Sequence, residues 1–310
     1  MRELHLHLDG SLRPKTVFEL SKRENINLGN LEDVKSNMIV PTNCQSLNEY
    51  LEGFDLPLMF LQRPEYIERV SFELGEDLYN LGLEYGEIRF APQSFTKGGL
   101  TQREVIKSSI KGIKKAIDKY KIKLGLILCS MRGSNNKNEN LETLNLVSDY
   151  LEDVVCGFDL AGAEGIFPTS DYEDLFLLAK KKDLPFTIHA GEASGAESVW
   201  KALELGAKRI GHGVRSIEDP NLVEYLVKER ITLEVCITSN FHTKLIEKIE
   251  NHPIKALFDK GVRVTINSDN MTVSNTNIIK EMKIAKNILG FSSEDLLKIN
   301  NYAKDAAFII

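Results

Sequence analysis

The sequence predicts an α/β fold, one (β/α)8 barrel of the TIM type, with extra short helices inserted after the first strand. Three observations point there. Short apolar runs alternate with amphipathic stretches along the whole chain. No internal repeat and no linker-like stretch divides it; the most polar interval, Gly133 to Asn140, is only loop length. Histidines and acids gather where the apolar runs end.

The elements follow in order. Glu3–Leu8 is the first strand expected, and the long stretch from Pro14 to Gln62 reads as several short helices inserted behind it. Pro64 to Leu81 carries apolar residues at Ile67, Val70, Leu74, Leu78 and Leu81, a helical spacing ended by Gly82. Tyr85–Ala91 is the second strand. Thr101 and Glu104 form a capping box ahead of Val105, Ile106, Ile110, Ile113 and Ile117, which marks another helix. Lys123–Leu128, Val154–Leu160, Phe186–His189, Lys208–Gly211, Thr232–Val235 and Arg263–Asn267 are the remaining strands, short and bounded by polar or glycine positions as buried parallel strands are. Leu222 to Arg230 follows Pro220 as a helix, and Ser293 to Phe308 is an amphipathic helix near the C-terminus.

Composition narrows the function. With 42% hydrophobic residues, 27% charged residues and 21 glycines, the 310-residue chain is ordinary globular protein. A net charge of -6 argues against a nucleic-acid binder, which needs a basic face for phosphate contacts. No apolar run reaches the ~18 residues a membrane helix requires. Cys44, Cys129, Cys156 and Cys236 lie far apart with no CxxC, so neither a disulfide scaffold nor a cysteine zinc site is expected, and a reducing cytoplasm is the expected location.

In a barrel, chemistry sits where strands end and βα loops begin. The first strand reads Leu4-His5-Leu6-His7-Leu8-Asp9-Gly10, and side chains two apart share a face, so both imidazoles point one way. Alone, such a pair is open to two readings, two metal ligands or one satisfied polar group beside a packing residue. The fifth strand ends in His189, with Glu192 three residues on; by itself Glu192 reads equally as a helix cap. The sixth ends in His212 between Gly211 and Gly213, where a ligand can approach closely, and the eighth runs into Ser268-Asp269-Asn270. Four of the six histidines thus fall at strand ends that meet on one rim, and Asp269 could complete a His3Asp site. His242 and His252 do not fall there. Surface or loop roles are expected for both, with His252 before Pro253 in a turn. Zinc on such ligands lowers the pKa of bound water from 15.7 toward ~7. A histidine can hold or deprotonate that water while a glutamic acid protonates the group under attack, worth roughly 10²–10⁴-fold. The chemistry expected is metal-assisted hydrolysis of a polar carbon; spacing does not name the substrate.

The ordered motifs resemble those of the adenosine deaminases. They are Leu4 to Leu12 (LHLHLDGSL), Glu87 to Pro92 (EIRFAP), Met131-Arg132, Phe158 to Gly162 (FDLAG), His189 to Glu192 (HAGE), Arg209 to Gly213 (RIGHG), Leu233 to Cys236 (LEVC) with Ser239-Asn240, and Ser268-Asp269-Asn270. The resemblance covers nearly the whole chain. It implies a barrel with one zinc ion, Zn2+, that converts adenosine, and 2'-deoxyadenosine as well, to the inosine product and ammonia. It places the zinc on His5, His7, His189 and Asp269. It makes Glu192 the acid that protonates purine N1 and His212 the group that orients and deprotonates the attacking water, with Asp269 also touching that oxygen. Asp9 would hold the ribose hydroxyls, His7 would border the substrate, and Gly162 would meet purine N3 through its backbone. Asn270 stands where a second aspartate is common, and its NH2 would donate to N7 without needing a proton of its own. Ala163 stands where an acidic residue is common.

Related possibilities are separated by particular residues. Adenine deaminases tend to have glutamate at the position of Asp9, so Asp9 favours a nucleoside over the free base. No basic cluster flanks the motifs to hold a phosphate, as an AMP deaminase would need. Val154 to Gly162 contains no lysine to bridge a second metal, so one ion is expected. A non-catalytic adenosine-binding relative is disfavoured by the complete set with Glu192 and His212. The partner expected is a small purine nucleoside, with no nucleic acid and no membrane; the sequence leaves the oligomeric state open. Since ligands from both ends must meet at one metal, residues 1–310 are expected to be one domain, trimmed close at both ends.

Overall fold

In a computed structural model, which describes residues 1–41, 44–151 and 153–309, eight parallel strands run around a central barrel. They are β1 (Arg2–His7), β2 (Tyr85–Phe90), β3 (Lys123–Met131), β4 (Val155–Ala161), β5 (Thr187–Ala190), β6 (Arg209–His212), β7 (Thr232–Val235) and β8 (Arg263–Ile266). All eight expected strands are present, with ends displaced by three residues or fewer. The (β/α)8 barrel expected from the alternation of elements is the fold.

Hydrogen bonding joins β1 to β4 in one four-stranded run and β5 to β8 in another, each in sequence order. The two runs close on each other by single bridges, Phe158 with Phe186 and Leu6 with Asp269. At the second seam His7 N–H donates to Asp269 O at 2.7 Å, and Asp269 N–H donates to His5 O at 3.0 Å. The β1–β2 register gains one residue between Glu3 and Leu6, a bulge that turns the strand beside His5.

The strands are buried nearly throughout, which accounts for their apolar composition. Around them lie α5 (Pro64–Asn80), α6 (Gln102–Tyr120), α7 (Lys137–Tyr150), α8 (Glu173–Lys181), α9 (Ala196–Glu204), α10 (Pro220–Lys228), α12 (Ile254–Asp259), α13 (Ile278–Asn287) and α14 (Ser293–Ala306). The capping box predicted at Thr101 forms: its hydroxyl accepts from Glu104 N–H while the Glu104 carboxylate accepts from Thr101 N–H. The insertion after β1 is α1 (Pro14–Arg23), α2 (Leu31–Met38), α3 (Leu47–Leu51) and α4 (Asp55–Phe60), as expected. A further short helix, α11 (Ile237–His242), follows β7 directly. Among the described residues no helix is long and apolar enough to cross a membrane, and the four cysteines are free, buried thiols.

Helices α5 and α6 cross closely, and Gly112 permits it. A methyl group there would fall 2.2 Å from the Glu68 carbonyl oxygen and 2.8 Å from Ser71 Cβ. Helix propensity alone favours Ala over Gly by about 1 kcal/mol. Overpacking of this kind costs about 1–3 kcal/mol, so Gly112→Ala is expected to lower stability, read as a reduced midpoint in urea unfolding with the slope unchanged.

Candidate active site

The C-terminal rim of the barrel collects the residues singled out above. His5 and His7 lie on β1, His189 on β5, His212 at the end of β6, and Asp269 just past β8. The bulge in β1 does not separate its two imidazoles: their ring centres are 5.4 Å apart, and the His5 ring is 4.6 Å from His189 and 4.8 Å from His212. His7 Nε2 and His189 Nε2 approach to 3.2 Å. Asp269 Oδ1 lies 3.4 Å from both His5 Nε2 and His7 Nε2. His5, His7 and His189 can direct ligand atoms to one point, and so can His5, Cys236 and Asp269.

The surroundings fit a metal. His5 Nδ1–H donates to Glu234 Oε2 at 2.9 Å, and His189 Nδ1–H donates to Asp159 Oδ2 at 3.0 Å. In a neutral imidazole this leaves each Nε2 with its lone pair, and His5 Nε2 is buried without a hydrogen-bond partner among the described residues. Burial lowers the pKa of His7 and His189, which keeps both rings neutral and able to ligate.

Those two carboxylates belong to a charge network inside the barrel that the sequence reading did not assign. Arg89 Nη1 donates to Asp159 Oδ2 and its Nη2 to Glu234 Oε2, each at 2.8 Å. Arg209 pairs with Glu234 Oε1 and with Glu87 Oε2, each at 2.7 Å. Burial alone would raise the pKa of Asp159, yet His189 and Arg89 hold it below its usual range. Arg209 and Arg89 do the same for Glu234 against its own burial. The sequence signal was available: charged residues standing within apolar strands are out of place unless paired.

The acid candidate is set differently. Glu192 follows β5 on a loop held by one buried carboxylate, Glu164. Its two oxygens accept from the backbone N–H groups of Gly191, Glu192, Ala193 and Ser194, at 2.7–3.0 Å, and from the Ser198 hydroxyl. Glu164, next to Ala163, thus supplies an acid at this corner. Burial, then the charges of Asp269 and Glu164, push the Glu192 pKa well above the usual carboxylate range, which favours its protonated form.

A pocket of about 780 Å³, measured out to its mouth, opens onto this cluster. His7, Asp9, Gly162, His189, Glu192, His212, Asp269 and Asn270 all line it. His5 sits beneath, fully buried. Burial raises the Asp9 carboxyl to about 7, and its Oδ1 has no partner among the described residues. Asn270 gives one amide N–H to the Tyr50 hydroxyl at 2.9 Å. Leu47, Tyr50, Leu51, Phe54 and Leu58, all from the insertion, form an apolar wall; periodicity gave no sign of that task. Met131 lines the pocket too, whereas Arg132 turns away to bond the carbonyls of Phe167 and His189.

One expectation holds only in its loop form. His252 is not a surface residue: it is 4% exposed and hydrogen-bonded to Asn240, which in turn bonds His212. The turn before Pro253 is real, but it folds inward and seats the ring in the core. His242 is half-buried at the end of α11.

The chain matches known proteins along its length. The family model described as adenosine deaminase matches residues 1–310. An adenosine deaminase of Haemophilus ducreyi is 42% identical, over 99% of this chain and 91% of its own length. One of Clostridium acetobutylicum is 41% identical, over 99% and 92%. Among solved structures, an adenine deaminase from Arthrobacter aurescens is similar at a TM-score of 0.91 and 25% identity, covering 100% of this chain and 94% of that one. The Arabidopsis N6-mAMP deaminase is similar at 0.86 and 27%, covering 99% and 93%.

Replacing Glu234 with Gln leaves one side-chain acceptor oxygen where His5, Arg89 and Arg209 now share two. Loss of such an outer partner weakens metal binding by about 10–100-fold, which a competition titration between the Glu234→Gln protein and a zinc-chelating dye is expected to register.

Proposed function

The chain belongs to the adenosine deaminase family, and on that premise we propose that it hydrolyses adenosine, and 2'-deoxyadenosine, to the inosine product and ammonia with one zinc ion per chain. The observation that carries this reading is the pairing, in one pocket, of the convergent His5, His7 and His189, with Asp269 3.4 Å from two of them, and a buried carboxyl, Glu192, whose pKa its surroundings push up.

Bound at those four residues, zinc would supply a hydroxide-like nucleophile at neutral pH. The rest is done by the chain itself. Glu192 donates its proton to purine N1, which draws electrons from C6 and opens that carbon to attack. His212, at the end of the neighbouring strand β6 with Nε2 3.6 Å from Glu192 Oε2, contacts the attacking oxygen. The C6–O bond forms, the exocyclic nitrogen takes up the proton of the attacking oxygen, and the C6–N bond breaks to release ammonia and leave the C6 carbonyl. These groups stand in place before the charge develops, which is why they stabilise it.

Substrate choice rests on the other lining residues. Asp9 Oδ1, buried and unpaired among the described residues, suits a ribose hydroxyl. The backbone at Gly162 faces the pocket for purine N3. Asn270, with one N–H on Tyr50, retains the other for N7. No lysine or arginine lines the pocket among the described residues, so a 5'-phosphate would enter without a counter-charge. That favours a nucleoside over a nucleotide, and Asp9 favours it over a free base.

Ultraviolet monitoring of adenosine, adenine and AMP tests the assignment: adenosine is expected to be turned over in preference to both others, and the opposite order would overturn it. Glu192→Gln is expected to lower kcat by about 10²–10⁴-fold with zinc content unchanged. Treatment with a chelator is expected to abolish turnover and added zinc to restore it. If Asn270 contacts N7, Asn270→Ala raises KM for adenosine; an unchanged KM in both Asn270→Ala and Asn270→Asp would remove that contact from the scheme.

A further inference from the structure

His252 belongs to no part of the scheme above, yet it begins a chain of hydrogen bonds that ends in the pocket. Its ring is buried, and burial lowers its pKa to about 3, so the imidazole is neutral at any ordinary pH. A neutral imidazole has one N–H and one lone pair. The backbone N–H of Ile254 points at His252 Nδ1 from 3.1 Å. A backbone N–H can only donate, so Nδ1 carries the lone pair and Nε2 carries the proton.

That assignment propagates. His252 Nε2 lies 3.2 Å from Asn240 Oδ1, and an N–H facing it requires the amide oxygen there, not the NH2. The orientation of the fully buried Asn240 amide is thereby settled, and its Nδ2 donates to His212 Nδ1 at 3.0 Å. His212 Nδ1 is therefore an acceptor. In the neutral ring the proton lies on Nε2, the nitrogen that faces the pocket and Glu192. Every bond runs in one direction, from Ile254 N–H through His252 and Asn240 to His212.

We propose that His252 and Asn240 are positioning residues that fix His212 as a hydrogen-bond donor into the pocket. The proposal rests on the deaminase reading for its kinetic consequence, though not for its structural one. Held this way, His212 Nε2–H grips a lone pair of the attacking oxygen and steadies its charge, and does not withdraw the proton from it. This narrows the two roles the resemblance implied for His212 to the orienting one. Reversing the donor order would turn the His212 lone pair toward the pocket.

The test uses zinc-loaded, full-length protein labelled with 15N-histidine. In the wild type, His212 is expected to show a protonated, pyrrole-type Nε2 and a pyridine-type Nδ1. Asn240→Asp presents a carboxylate that only accepts, so the His212 pattern is expected to invert and kcat to fall by about 10²–10⁴-fold, with KM and zinc content nearly unchanged. His252→Phe frees the Asn240 amide to rotate and is expected to lower kcat by about 10–100-fold. His252→Gln, which retains an N–H toward Asn240, is expected to restore kcat to within about threefold of wild type.

A protonated Nδ1 on wild-type His212 would overturn the proposal, as would an unchanged pattern in Asn240→Asp. So would a His252→Phe protein that melts lower but keeps its kcat, because a purely structural role predicts that result. Should wild type fail to turn over adenosine, the deaminase reading falls. The 15N pattern would still decide the donor order independently.

Discussion

A positive charge buried inside a barrel organises this site. Arg89 has no contact with solvent, and its guanidinium bonds Asp159 on one side and Glu234 on the other. Unpaired, such a charge would be prohibitively costly to bury; paired, the three groups must keep their geometry, because any shift leaves one of them uncompensated. The two carboxylates then do a second task. Each accepts a hydrogen bond from the Nδ1–H of a histidine, Glu234 from His5 and Asp159 from His189, and so aims both Nε2 lone pairs at one point. Arg209 and Glu87 extend the pairing toward the base of the barrel, which spreads the cost of burial over several bonds.

Backbone conformation supplies the next constraint. His212 and Asp269 both adopt left-handed φ angles, +59° and +60°, a region that residues other than glycine enter uncommonly, asparagine, aspartate and histidine most often among them. Strained conformations of this kind persist where the surroundings dictate them. For Asp269 the reason is visible: its own N–H and C=O close the barrel against β1. The carboxylate is consequently delivered to the histidines by the same residue that completes the fold. For His212 the flanking Gly213, itself left-handed, permits the turn, and the bond to Asn240 holds the ring once the turn is made.

Outside this rigid centre, single carboxylates and short helices present the remaining groups. Glu164 gathers four successive backbone N–H groups and thereby fixes the loop bearing Glu192, without which a protonated acid would have no fixed direction. The insertion behind β1 brings an apolar wall and Tyr50, whose hydroxyl joins Asn270 to Ser274. Binding surface and chemistry thus come from different parts of the chain. The wall is apolar, while the strand ends hold the charges.

The alternation of apolar runs was enough to locate all eight strands, because a strand buried on both faces is apolar along most of its length and holds a charge only where a partner meets it. The histidine and acid positions at their ends were equally plain, since a barrel has one functional rim. Local pattern could not reveal who holds whom. Glu234, Asp159 and Arg89 come from three separate strands, and their pairing exists only once the barrel closes. His252 misled for the same reason: a histidine before a proline reads as an exposed turn, and only the packing of α11 against that turn brings it to Asn240. The sequence by itself determined the barrel and placed the candidate metal ligands and a candidate acid at its rim. The tertiary structure decided which nitrogen each histidine offers, because a proton's place on a ring depends on a partner distant in the chain.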